Sequence, residues 1–506
     1  AGGPDARSVY RAAAVDAGEG VWCSGAPNMT KSAAEMRFAA RAIDDKALFA
    51  ALFAPLELHA AFESKFASST GKGTDRLNGF QFANRAAHEL SIASAKCLSG
   101  QYRFAPFMET LKTKGRDKLP RVIGVPTIRD RVILHQLNKF LSAVYPDRVP
   151  KNVASTYVRA ISADLQIKAG DDIWVCGTDI KTFYDSIQRD RLSLVLRKRI
   201  KCLPALRLVE HSLVTPTVPK NTRRHRHDYY RSKKGVPQGL AISNILASIY
   251  MADVDKPMRT MGVAYYRYVD DVLMFGSKDS VQKALKTLDS RLKYRGLALH
   301  DVASGKTQVA PLSTPFGYLG YTFKWPTITV RDATVERFLQ SIAAKFSDYT
   351  HNKARRLEKF KYLTEARVAE IFLLELNERL TGAISEKKRY GWIAYFNQIT
   401  DLSLLHHLDK TIAGLFARLP DFKGVAPKEL RKLSRAYFEM KFNPEGGYVR
   451  NYDKIVTPAE RVKFLVERGR IGPGETLTDA QINDRYEKYI AHILSAMHSD
   501  EGVLYG

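Results

Sequence analysis

The sequence predicts a mixed α/β chain of several domains, with strands gathered in its middle and a helical final third. Three stretches carry that expectation. Ile173-Trp174-Val175-Cys176-Gly177-Thr178-Asp179-Ile180 is a short apolar run ending in an acid, the pattern of a buried strand. Tyr265-Tyr266-Arg267-Tyr268-Val269-Asp270-Asp271-Val272-Leu273-Met274-Phe275 sets two adjacent carboxylates between aromatic and β-branched runs, which reads as a hairpin with the Asp pair at its tight turn. Beyond Val335 the spacing is helical and basic residues gather: Lys345, Lys353, Arg355, Arg356, Lys359 and Lys361.

At 506 residues the chain is too long for one core, so two to four domains are expected, and 45% hydrophobic residues supply their interiors. Lys and Arg number 79 against 53 Asp and Glu, a net +26. Such an excess asks for a polyanionic partner, nucleic acid ahead of an acidic membrane surface. No stretch approaches the roughly 18 consecutive apolar residues of a membrane span. Cys23, Cys97, Cys176 and Cys202 show no CxxC spacing, so neither a zinc site nor a disulfide framework is supported. A reducing, cytoplasmic compartment is expected. Ala1 to about Ala26 is Gly/Ala-rich and weakly patterned; residues 1–28 read as a flexible leader or a remnant of upstream reading, with Met29 as the natural start.

In chain order, Ser32 to about Phe66 is expected as helix, with Phe38, Ala42, Leu48, Leu52 and Leu56 on one face. Ser68–Gly73 is a loop, and a helix from about Gln81 to Leu98 stops at Gly100. Arg121–Val125 alternates as a strand, and Ile128 opens a helix to about Val144. Arg121, Arg129 and Arg131 fall together there. They meet the phosphates of template or triphosphate, or they form a solvated basic face; both readings stand. A helix follows from about Arg189.

Lys220 to Lys234 carries seven Lys/Arg with His225, His227, Tyr229 and Tyr230. His225 and His227 have no Cys and few acids nearby, so a basic aromatic loop on a nucleic-acid track is favoured over a metal pair. Gly235-Val236-Pro237-Gln238-Gly239 is a tight turn before a small-residue helix through Met251. Its glycines allow close backbone approach to a flat partner, which Gln238 can hydrogen-bond. Ser280–Tyr294 is amphipathic, Gly305-Lys306-Thr307 follows, and Phe316–Phe323 reads as an aromatic hairpin. Trp392–Phe396 and Leu402–Asp409 form a second helical block. After a Gly446-Gly447 linker, Thr457-Pro458-Ala459-Glu460 and Thr478-Asp479-Ala480-Gln481 are capping boxes opening two helices.

Turns favour Asp, so an Asp-Asp turn alone is ordinary. Here, however, hydrophobic strands flank it, and two anions in an apolar hairpin lose hydration and repel each other. A pair of divalent cations relieves both costs, and two metals roughly 3.5–4 Å apart are the machinery of in-line phosphoryl transfer. Asp179, ending its own strand, is the natural third carboxylate. The alternative for it, a helix N-cap, suits Ser186 or Asp190 better.

In this order, Asp179, the Gly235–Gly239 turn, Tyr268-Val269-Asp270-Asp271, Lys306 and the Phe316–Phe323 hairpin resemble the ordered motifs of reverse transcriptases. The prokaryotic group is the most similar: group II intron, retron, abortive-infection and defence-associated enzymes. The resemblance covers about Thr70 to Phe323, and Arg121–Arg131 looks like the fingers motif. It implies a right-hand polymerase with an RRM-like palm, an antiparallel sheet plus helices, fingers and an α-helical thumb. The corresponding divisions are 29–175 for N-terminal helices and fingers, 176–330 for the palm with a basic insertion at 204–234, 331–445 for the thumb, and 446–506 for a helical extension.

The resemblance implies roles by position. Asp179 and Asp270 would hold two Mg²⁺ ions, with Mn²⁺ as a substitute, and Asp271 would be the adjacent acid. Ile180 and its backbone would line the triphosphate, and Arg121 and Arg131 would touch triphosphate or template. Tyr184, five residues after Asp179, matches the steric gate that favours dNTPs over rNTPs. Gln238 would lie near the templating pair, and Lys306 matches the lysine that protonates departing pyrophosphate. The aromatic hairpin would grip the primer end. Arg223, Arg224, Arg226 and Lys233, with Lys353, Arg355 and Arg356 of the thumb, would hold nucleic acid through phosphates. The expected partners are an RNA template in the form of a structured non-coding RNA, the DNA product, dNTPs and further copies of the chain, with no membrane.

Departures from the family pattern narrow the type. The nearest string to the retron Val-Thr-Gly is Leu380-Thr381-Gly382, and no Cys- or His-rich endonuclease run or ribonuclease H length follows the thumb in this sequence. The Trp392–Phe396 and Leu402–Asp409 block is similar to the C-terminal regions of abortive-infection and defence-associated enzymes. The expectation is an RNA-templated DNA polymerase working with a dedicated non-coding RNA in anti-phage defence. The alternatives are an intron maturase-type or retron-type enzyme, and an RNA-binding scaffold on a polymerase fold.

Overall fold

The computed structural model describes residues 44–113, 119–150, 153–168, 172–301, 303 and 305–501. The expected leader, Met29, Cys23, Phe38 and Ala42 lie outside them. The strands, in chain order, are β1 (Phe107–Lys112), β2 (Arg121–Val125), β3 (Trp174–Asp179), β4 (Thr217–Val218), β5 (Ala264–Tyr268), β6 (Asp271–Gly276), β7 (Gln308–Pro311), β8 (Phe316–Tyr318), β9 (Tyr321–Lys324), β10 (Thr327–Val330), β11 (Ala383–Ser385), β12 (Lys388–Tyr390) and β13 (Arg450–Asn451).

The central sheet has the order β5-β6-β3-β7 and is antiparallel throughout. Side chains alternate across a strand, so a sheet buried on both faces needs apolar residues at every position. β3 and β6 meet that demand. Cys176, Val272 and Met274 enter one core, with the Lys278–Tyr294 and Ser243–Tyr250 helices. Val175, Leu273 and Phe275 enter another, with the Ala154–Ile167 helix and β8–β10. A smaller sheet, β2-β1-β4, carries Arg121 at the start of β2.

The N-terminal helices differ from the expected single span. Helices Asp45–Leu52 and Pro55–Lys65 break at Pro55, and Leu56 is exposed rather than on the buried face. Proline cannot donate within a helix and restricts the residue before it, so the chain turns there. The second expected helix is also divided, into Gly79–Ala83 and Ala86–Leu98. Among the described residues no single helix is long and apolar enough to cross a membrane.

After β10, the 28-residue helix Asp332–Lys359 buries Phe338, Ile342, Phe346 and Tyr349 at intervals of four, four and three. It packs against helices Glu365–Thr381 and Leu402–Leu415. Trp392 is wholly buried there and stacks on Phe338.

Both C-terminal capping boxes form, at Thr457 and Thr478, opening helices Pro458–Glu467 and Asp479–Asp500. The segment does not stand apart as an appendage. β13 adds to β11, Tyr489 donates to Glu375, and Arg379 pairs with Asp500. Lys488 of the last helix lies over the Phe80 ring at 3.9 Å. The apolar stripes of the two helices are thus covered by their own chain.

Candidate active site

β3 and β6 run antiparallel with Asp179 opposite Asp271. Tyr268 pairs with Asp271 across the hairpin, so the turn is Val269–Asp270 and Asp271 already belongs to β6. The expected Asp-Asp turn is therefore shifted by one residue. Val269 has φ 57°, a conformation that β-branched residues rarely adopt and that costs about 1–3 kcal/mol. Arg267 holds it there. Its guanidinium donates to the Val269 carbonyl at 2.8 Å and pairs through two nitrogens with Asp255, which also accepts from the Tyr265 hydroxyl at 2.9 Å.

Three carboxylates consequently gather at the end of β3. The Ile180 N–H donates to the Asp270 carbonyl at 3.2 Å, tying the hairpin to the neighbouring strand. Asp270 Oδ1 is buried with no hydrogen-bond partner among the described residues. Burial, then the charges of Asp179 and Asp271, push the Asp270 carboxyl up to about 7. A buried acceptor without a donor, beside two further anions, fits a divalent cation. Among the described residues no three His, Cys, Asp or Glu side chains converge as a finished cage.

Lys306 Nζ lies 3.3 Å from Asp179 Oδ2 and donates to His300 Nε2 at 2.9 Å. The His300 N–H donates to the Asp179 carbonyl at 3.1 Å. Arg121 lies close enough for its charge to pull down the carboxyl of Asp270 and the hydroxyl of Tyr184. Tyr184 is half-buried; burial first, then the Asp270 charge, holds its hydroxyl well above the usual phenol range. That hydroxyl donates to Asn244 Oδ1, which fixes the ring.

The Gly235–Gly239 turn joins these parts. Val236 N–H donates to the Tyr184 carbonyl at 2.8 Å, and Gly124 N–H of β2 donates to the Gln238 carbonyl at 2.8 Å. Gly239 has φ 96°, and a Cβ there would stand 2.6 Å from Ile123 Cγ2, so only glycine fits. Gln238 Nε2 is 3.4 Å from Asp185 Oδ1. Of the aromatic hairpin, Phe316 and Phe323 stack at 4.8 Å, and the buried Tyr318 hydroxyl feels the charge of Asp271.

Other expected contacts fall elsewhere. The Ile180 side chain is buried, and its N–H donates to the Asp270 carbonyl. Arg131 donates to the Pro126 carbonyl and to Ser69 Oγ, both at 3.0 Å, and so anchors the glycine loop. Arg129 pairs with Glu89 at 3.2 Å. Lys353 is engaged with Asp421 and Glu365 at 2.7 and 2.8 Å, inside the thumb. Arg356 lies 4.0 Å from Glu375, whereas Arg355 is exposed. Arg223, Arg224, Arg226 and Lys233 are exposed, as a phosphate-binding surface requires. Neither Ser186 nor Asp190 caps the Arg189–Arg199 helix; Gln188 occupies that position without a side-chain cap.

Sequence reasoning missed Arg267, Asp255, Asn244 and His300. Arg267 carried the only local signal, a charged residue inside an aromatic strand. The others act across the fold.

Residues 112–323 match the family model described as reverse transcriptase (RNA-dependent DNA polymerase). This part of the chain is a reverse transcriptase domain. Sequence relatives of the domain include protein YkfC of Escherichia coli K12, 22% identical over 49% of this chain and 74% of that protein. The group II intron-encoded protein LtrA of Lactococcus lactis subsp. cremoris is 26% identical over 38% of this chain and 31% of its own length. The chain thus spans about a third of that relative. Among solved structures, telomerase from Candida albicans in complex with a TWJ fragment of telomeric RNA gives a TM-score of 0.39 at 12% identity, over 83% of this chain and 68% of that one. Apo telomerase from Candida tropicalis, truncated from its C-terminal domain, gives 0.35 at 17% identity, over 45% and 56%.

Proposed function

We propose that the whole chain is an active RNA-templated DNA polymerase that extends a primer with dNTPs, working in the cytoplasm with a structured non-coding RNA in anti-phage defence. The observation that carries the catalytic part is the buried, donorless Asp270 Oδ1 beside Asp179 and Asp271, with the Tyr184 ring next to them. Asp179 and Asp270 would hold the divalent ions, and Asp271 adds negative field to the same place. When bound, such ions lower the pKa of the primer 3′-hydroxyl and take up charge on the leaving pyrophosphate.

The chain's own side chains supply the rest. Arg121 meets triphosphate oxygens, because its charge already reaches Asp270 and Tyr184. Tyr184, fixed by Asn244, fills the space a ribose 2′-hydroxyl needs. Lys306 holds a proton at Nζ for the departing pyrophosphate. The primer 3′-oxygen forms a bond to the α-phosphorus as the bond to the bridging β-phosphate oxygen breaks.

Primer extension on an RNA template with dNTPs and Mg²⁺ tests this, with the Asp270→Ala chain as control. Absence of extension by the unaltered chain with either Mg²⁺ or Mn²⁺, while it binds template, would leave the scaffold reading instead. The defence assignment draws on the helical block at Trp392–Phe396 and Leu402–Asp409. A maturase-type role is the second reading, favoured by the similarity to an intron-encoded protein. Sequencing of RNA crosslinked to the chain in cells separates the two: intron RNA supports the second, one discrete non-coding RNA the first.

A further inference from the structure

Arg189 stands where a cation is least expected. It is the first residue of the Arg189–Arg199 helix, so its charge opposes the helix dipole. Among the described residues no carboxylate pairs with it, and burial pulls its guanidinium below the usual arginine range. A cation so placed needs other acceptors.

It finds three, all on the main chain. Nε donates to the Gly235 carbonyl at 2.8 Å, Nη1 to the Ser232 carbonyl at 2.6 Å and Nη2 to the Lys234 carbonyl at 3.2 Å. Each guanidinium nitrogen thus holds one carbonyl of the same short segment. The Ser232 and Gly235 carbonyls have no backbone donor among the described residues, so Arg189 takes the part that a neighbouring strand would play. A lysine has one nitrogen and no planar fork, and cannot reproduce this grip.

The segment it holds leads into the turn at 235–239. Gly235 N–H donates to the Ile187 carbonyl at 2.8 Å, and Val236 N–H donates to the Tyr184 carbonyl at the same distance. The two backbones also touch. Gly235 has φ 86°, and a Cβ there would stand 2.9 Å from Asp185 Cα and 3.0 Å from the Tyr184 carbonyl oxygen. Close-packed backbones transmit displacement, so a shift of the turn moves the chain under Tyr184.

Tyr184 is therefore fixed at both ends. Asn244 takes its hydroxyl, and Val236 takes its main-chain carbonyl. Gln238 belongs to the same turn, with Nε2 3.4 Å from Asp185 Oδ1. We infer that Arg189 is a positioning residue for nucleotide selection: by clamping residues 232–235 it sets where Tyr184 and Gln238 stand against the incoming nucleotide. This role rests on the polymerase reading of the same site.

The test is single-nucleotide primer extension by the full chain carrying Arg189→Gln or Arg189→Lys, with Arg191→Gln as control. Arg191 lies on the same helix with its guanidinium over the Tyr294 ring, 5.4 Å from the centroid. Arg189→Gln raises the ratio of rNTP to dNTP incorporation about threefold or more and lowers kcat/KM for dNTPs about tenfold or more, because small misplacements near reacting groups are costly. Arg189→Lys falls between, and carries the comparison where Arg189→Gln does not fold. Arg191→Gln leaves both quantities as they are. Hydrogen exchange of a peptide spanning 232–237 speeds up in Arg189→Gln and not in Arg191→Gln, which reads the clamp without nucleotide. A ratio unmoved in both Arg189 variants, whatever the loss of rate or stability, makes Arg189 a structural residue only and overturns the inference. An equal change in Arg191→Gln assigns the effect to helix charge and also overturns it. Absence of dNTP incorporation by the unaltered chain removes the polymerase reading and this role with it, whereas an active chain with an unmoved ratio removes the role alone.

Discussion

Arg468, at the end of the Pro458–Glu467 helix, is wholly buried and pairs with Glu378 of the Glu365–Thr381 helix. Arg450 approaches the same Glu378 oxygen at 3.5 Å. The C-terminal segment is therefore bolted to the thumb by a charge that has no water to return to. Breaking such a pair from one side costs about 3–5 kcal/mol, because the partner stays buried and charged. Glu378→Ala is expected to lower the thermal midpoint by many degrees. Removing residues 448–506 should abolish primer extension without altering the number of copies per particle read from light scattering. Full activity in that truncation would show a separable appendage.

Asp179→Ala and Asp270→Ala should each reduce dNTP incorporation by at least about 100-fold, since each removes a carboxylate that would hold a divalent ion. RNA affinity should stay within about threefold, because the basic surfaces are elsewhere. Single-turnover extension beside an anisotropy titration reads both. Near-normal extension by either variant would remove these acids from the chemistry.

Tyr184→Val should raise the ratio of rNTP to dNTP incorporation by about tenfold or more, as a lost steric contact typically allows. Asn244→Ala should move the ratio the same way but less, because it only frees the ring that Asn244 holds. An unchanged ratio in both variants would make Tyr184 an ordinary core aromatic.

Asp270 gives the metal-free chain a pH dependence whose sign is fixed. Its carboxyl is raised from 3.8 to about 7, so the folded state holds that proton more tightly than the unfolded chain does. The resulting stability is complete below the unfolded value and is lost as pH rises through about 7. Asp270→Asn should therefore melt higher than the unaltered chain at pH 8 and lose most of that advantage at pH 5. A difference that is the same at both pH values would refute the raised Asp270 carboxyl, whose first cause is burial and second the charges of Asp179 and Asp271.

Lys353 and Arg355 separate structural from nucleic-acid charge on one helix. Lys353→Met should destabilise the thumb, since Asp421 and Glu365 lose their partner, and leave the salt dependence of RNA binding alone. Arg355→Gln should leave the melt unchanged and flatten the slope of log affinity against log salt by about one unit if it contacts a phosphate. The reverse pattern would exchange their roles.

How much of this was legible beforehand follows from the range of the interactions. Local pattern determined β2, β3, the Ile128–Val144 helix, both capping boxes and the meeting of Asp179 with the Asp270–Asp271 hairpin. Period, caps and motif spacing are properties of neighbouring residues, and five ordered motifs pointed to one family of site. The tertiary structure decided the rest. Which arginine of Arg121, Arg129 and Arg131 acts on the carboxylates depended on where Glu89 and Ser69 stand, far away in sequence. That Lys353 is internal depended on Asp421, and that the last helices brace the thumb depended on Glu378. A charged side chain looks the same in a sequence whether its counter-ion is a phosphate or a distant carboxylate. Only packing brings that partner within reach and removes the water that would otherwise screen it.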